Sequence, residues 1–178
     1  MKRLAFGMVV SALAFAAFAN TNSPYVGQET RKIKALSEQE VEDYLDGEGL
    51  GYAKAAELNH YPGPRHVLDL AKELMLTDEQ ATQTQAIFNA MRARAIPLGK
   101  QLVEKERELD REFAAGSIRE DSLNALLSDI GVLQAKIRYV HLSAHLEQKE
   151  LLTKQQIQMY DQLRGYGNPQ GDRHNHSR

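Results

Sequence analysis

Two stretches of the chain place an apolar residue at every third or fourth position, and a glycine break separates them. The first is Phe88, Met91, Ala95, Leu98, Leu102, Leu109 and Phe113, with one seven-residue gap across Lys105. The second is Leu126, Ile130, Leu133, Ile137, Val140 and Ala144. A mean step near 3.5 residues lines one stripe of an α-helix and forms a coiled-coil seam. Between them Ala114-Ala115-Gly116 ends one helix, and Ser117-Ile118-Arg119-Glu120 has the capping-box pattern that starts another. Two long helices joined by so short a turn must lie antiparallel. The expected fold class is therefore all-α, a long antiparallel helical hairpin with short flanking helices. Period-two runs of β-branched residues, the mark of strands, are missing.

The hairpin is framed by two similar helix starts, Leu76-Thr77-Asp78-Glu79-Gln80 and Leu152-Thr153-Lys154-Gln155-Gln156. In each, the threonine oxygen (Thr77, Thr153) can accept from the backbone N–H of the glutamine three residues on. The glutamine side chain (Gln80, Gln156) can reach back to the threonine N–H. Asp78 and Glu79 also complement the helix dipole. Pro97 lies inside the first long helix, where its ring removes a backbone bond and crowds the carbonyl of Ala93. A kink is expected there, with Gly99 easing it; it either curves a surface helix or shapes a concave face. The charged run Glu104 to Glu112, with pairs such as Glu104–Arg107 and Glu108–Arg111, reads as a solvated face.

Before the hairpin, residues 20–36 read as a polar linker. Ser37-Glu38-Gln39-Glu40 opens a short helix to about Asp46, ended by Gly47, Gly49 and Gly51, and Tyr52 to Leu58 is a second short helix. After Pro62-Gly63-Pro64 a further helix is expected, with Val67, Leu68, Ala71, Leu74 and Met75 on one apolar face. At the amino end Met1-Lys2-Arg3, the apolar run Leu4–Phe18 and Ala17-Phe18-Ala19 read as a signal peptide cleaved after Ala19. The run of about 15 residues is short of the roughly 20 that span a bilayer. The division expected is thus 1–19 signal peptide, 20–61 linker and short helices, 62–166 helical domain, and 167–178 a polar, disordered tail. Such a leader implies export. The formal charge of −2 becomes −4 once Lys2 and Arg3 are lost, and basic residues alternate with acids, which excludes a nucleic-acid partner. With no cysteine, helix packing alone must hold the fold, and no thiol chemistry exists.

The two LTxxQ segments, the hairpin between them and the export signal resemble the Spy/CpxP family of periplasmic LTxxQ-motif proteins. Pro62-Gly63-Pro64-Arg65-His66 and Leu163-Arg164-Gly165-Tyr166 look like its heavy-metal resistance and metal-sensor (CnrX-like) branch. The resemblance covers roughly residues 62–166. It implies a four-helix protomer that forms a homodimer. It also implies one of three roles: an ATP-independent chaperone for non-native envelope proteins, a restraint on a membrane-bound stress sensor, or a binder of zinc, nickel or cobalt.

For chemistry, His141 and His145 are the sharpest candidates. Four residues apart on a helix, their imidazoles stand one turn apart on the same face and can chelate one divalent ion. The bland alternative is a pair of histidines bordering the core with local hydrogen bonds. His66 is the candidate third ligand and His60 a weaker fourth, with Glu147 and Glu150 near in sequence. The metal-sensor branch also pairs histidines on its first helix, whereas the residue four after His66 is Leu70. Nothing specific is expected of His174 and His176. Met75, Met91 and Met159 read as core rather than soft-metal ligands. No nucleophile motif, phosphate-cradling loop or HExxH is present, so an enzyme is not expected.

Overall fold

The computed structural model describes residues 23–166. The expected signal peptide and the tail with His174 and His176 lie outside them. The described residues hold a 3₁₀ turn at Gln28–Thr30 and six α-helices: α1 (Glu38–Asp46), α2 (Lys54–Glu57), α3 (Pro64–Asp69), α4 (Asp78–Ala114), α5 (Glu120–Leu151) and α6 (Lys154–Leu163). There are no strands among them, and no helix is long and apolar enough to cross a membrane.

The two long helices pack along their length. Glu112 meets Ser122 beside the turn, Lys105 meets Asp129 farther along, and Thr84 meets Gln148 near the far end. Contacts that spread outward from the turn in this order define an antiparallel pair. Every residue of the second apolar series, from Leu126 to Ala144, is buried, as are Met91, Ala95 and Leu102 of the first. Phe113 is exposed beside the turn, so the seam loosens towards the tip.

α4 runs through Pro97 without interruption. Gly99 has a packing role: a Cβ there would stand 2.0 Å from the carbonyl oxygen of Tyr44. The backbone of α1 therefore rests directly on α4. Ser117 does not cap α5. Its hydroxyl donates to the carbonyl of Glu112 and closes the end of α4, while Ser122 Oγ accepts from the N–H of Arg119 to start α5. Two further expectations fail in the region before the hairpin. The linker reading of residues 20–36 breaks at Ile33, which is buried in one apolar cluster with Tyr44, Leu102, Val103, Ile130, Leu133 and Ile137. The backbone N–H and ammonium of Lys34 fasten the same segment to Asp110. The helix expected to carry Leu74 and Met75 on its apolar face stops at Asp69, and Met75, at φ 50°, turns the chain. Leu76 N–H then reaches the carbonyl of Ala71 and Met75 N–H that of Lys72, the paired closure of a left-handed helix end. Met75 is thrown outward (77% exposed) and Met159 is also exposed, so of the three methionines only Met91 belongs to the core.

The two LTxxQ segments dock on each other. Thr77 and Thr153 each accept from the N–H of their glutamine, Gln80 and Gln156, and each glutamine oxygen accepts from its threonine N–H. Gln80 and Gln156 then exchange a reciprocal pair of amide bonds, both at 2.9 Å. The remaining N–H of Gln80 goes to the carbonyl of Leu151, and that of Gln156 to the carbonyl of Leu74. Each amide thus fills its two donors and two lone pairs, the most an amide can do. Val67, Leu74, Leu152 and Tyr160 form the small apolar core beside this joint.

Candidate functional site

His141 and His145 follow the expected periodicity and face the same side of α5, where the α1–α2 connection, α2, α3 and the residues after α6 close over the hairpin. The result is a cleft of about 530 Å³. Leu50, Phe88 and Met91 give it an apolar wall, and Gly49 and Gly63 bring bare backbone against the imidazoles.

Both histidines are core residues by exposure, 3% for His141 and 8% for His145. His145 Nδ1 donates to the carbonyl of Tyr61 at 2.7 Å, because a carbonyl can only accept. That bond fixes the ring, and the neutral tautomer keeps its lone pair on Nε2. A Cβ on Gly63 would lie 2.9 Å from the His145 ring, so only glycine lets the α2–α3 connection pass so close. His141 Nε2 is buried and has no hydrogen-bond partner. Burial, first, and the neighbouring His145, second, hold His141 below the usual imidazole range, with Glu48 opposing them.

Glu57 of α2 is the other organising group. Its Oε1 accepts from Tyr160 Oη at 2.6 Å, Tyr166 Oη at 3.1 Å and Arg164 Nε at 3.3 Å. Its Oε2 is buried without a donor and stands 3.8 Å from His145 Nδ1. Burial pushes the Tyr160 phenol well above its usual range, and the bond to Glu57 adds to the shift. At the rim Arg65 grips both oxygens of Glu48.

The expected metal ligands assemble only in part. His66 lines the same cleft but is part-exposed and turns its Nδ1 towards Asp69 at 3.6 Å. His60 faces away, bonded to Asp161 of α6 at 2.8 Å. Glu147 and Glu150 are exposed. Among the described residues no group of three or more His, Asp or Glu side chains has metal-holding geometry. His66 thus lines the cleft without joining His141 and His145 in a metal-holding group. Glu57, Tyr160 and Tyr166 were not anticipated as site residues. They come from separate segments with no shared spacing, so only the fold unites them.

The opposite face of the hairpin is open. Ala93, Pro97 and Leu98 of α4 and Val132, Ala135 and Tyr139 of α5 line a shallow groove of about 730 Å³. Val132 is 52% and Tyr139 65% exposed, and Arg94 lies over the Tyr139 ring with Lys136 beside it. Leu146, one heptad after Tyr139, extends the exposed apolar surface of α5 towards its carboxyl end. Comparison of the chain with family models, curated proteins and solved structures gives no match in any of the three.

Proposed function

We propose that the chain is a periplasmic ATP-independent chaperone or envelope-stress binding protein of the Spy/CpxP type. The observation that carries this reading is the open apolar groove along the back of the hairpin, flanked by Arg94 and Lys136. A holdase needs apolar area beside charge, so that non-native chains bind weakly and leave without nucleotide. The paired LTxxQ helix starts add support through the resemblance of the sequence to that family. No catalytic role is assigned. The test is suppression of aggregation of an unfolding client by the purified protein without nucleotide. Suppression at equimolar protein, weakened several-fold by the double substitution Val132→Ser, Tyr139→Ser, is the expected result. A folded parent protein that leaves aggregation unchanged at excess rejects the reading.

A further inference from the structure

We propose that the cleft between α5 and the α1–α3 cover binds a small primary amine, its ammonium against Glu57 and the imidazoles and its alkyl part along Leu50, Phe88 and Met91. This site is on the other side of the hairpin from the groove and does not depend on the chaperone reading.

Three features point to this ligand chemistry. Glu57 is held by three donors on Oε1, which leaves Oε2 buried and without a donor of its own. Buried polar atoms in native proteins nearly always have partners, so a carboxylate oxygen in this position calls for one from outside the fold. The imidazoles supply further acceptors. His145 spends its Nδ1–H on Tyr61, leaving the Nε2 lone pair, and His141, held neutral by burial, has one ring nitrogen free to accept. Of the cations that line the cleft with Lys54, Arg65 is held by Glu48, Arg164 by Glu57 and Arg92 by the carbonyl of Asp46, so the carboxylate oxygen and the imidazole lone pairs favour a ligand that donates.

The geometry also separates an ammonium from a divalent metal. Zinc demands ligand atoms at roughly 2.0–2.2 Å in a tight tetrahedron. Ammonium hydrogen bonds are satisfied at roughly 2.7–3.2 Å and tolerate a wider set of acceptors. Among the described residues the acceptors here lack metal-holding geometry. The cleft volume lies within the roughly 300–1,000 Å³ range of small-ligand sites. Gly49 borders His141 on this side, where a Cβ would meet Nδ1 at an ordinary contact of 3.6 Å.

The experiment is titration of the purified protein with 1,4-diaminobutane, followed by calorimetry and by the imidazole ¹⁵N resonances of His141 and His145. Propionate and zinc are the comparison ligands. Saturable amine binding that shifts both imidazoles, with affinity reduced about ten-fold or more in Glu57→Gln, is the expected result. That substitution keeps the Oε1 acceptor and removes the charge. Should it not fold, Gly49→Ala decides, because its methyl meets His141 at ordinary contact distance and narrows the cleft; weakened amine binding supports the site. Amine binding unaltered in the folded variant overturns the proposal, as does binding of zinc or propionate in place of the amine.

Discussion

His141 shows how a single side chain couples this fold to pH. Its imidazole is buried and its ionisation is suppressed by burial and by His145, against a smaller opposing pull from Glu48. The unfolded chain takes up a proton near the ordinary histidine value of about 6.5, which the folded chain resists. The stabilisation is therefore complete above that value and is lost as pH falls towards the lowered folded pKa. Urea unfolding at pH 7.5 and 5.0 is expected to show less stability at the lower pH, with a smaller difference in His141→Gln. An equal pH dependence in the variant would assign it elsewhere. Glycines give a second residue-scale contrast. Gly99→Ala would drive a methyl into the Tyr44 carbonyl and is expected to cost about 3 kcal/mol or more, despite the gain in helix propensity. Gly131 lies in the middle of α5, where an added Cβ would meet nothing within 4 Å, and is expected to gain about 0.5–1 kcal/mol as alanine. Denaturant midpoints of the two variants should move in opposite directions.

At the scale of elements, the long helices were legible because each seam repeats often enough to fix a face. The helix starts were legible because a capping box is local chemistry. What was not legible was the meeting of the two caps, since Gln80 and Gln156 are far apart in sequence and each looks complete alone. The reciprocal amide pair predicts coupling. Gln80→Ala and Gln156→Ala are each expected to cost about 2 kcal/mol, and the double variant clearly less than the two together. A double-mutant cycle by urea unfolding measures this; simple additivity would mean that the amides act only as separate caps. The failures have physical causes as well. Ile33 sits alone between Lys32 and Lys34, with no periodicity to mark it as core. Met75 satisfies the helical pattern, yet it occupies the left-handed turn that ends the α3 segment.

For the molecule as a whole, the short amino-terminal elements complete the hairpin instead of merely preceding it. Ile33 joins residues from α1, α4 and α5 in one cluster, so Ile33→Ala is expected to cost about 2–4 kcal/mol. Thermal unfolding followed by circular dichroism should show one lowered transition. A normal midpoint would make the segment an accessory. The candidate cleft follows the same division. His141 and His145 were visible as a helical pair, whereas Glu57 and its tyrosines acquire meaning only when α2 and α6 are brought together. Charge runs and single histidines carry no information about what folds back over them.

The amide joint also sets where the hairpin yields. It shackles the base of the two long arms through atoms that have no spare bonding capacity. At the tip, by contrast, Phe113 is exposed and a Cβ added to Gly116 would find no neighbour within 4 Å. The molecule is built like tweezers riveted at one end, and a load on the tips is expected to spread them before it strains the rivet.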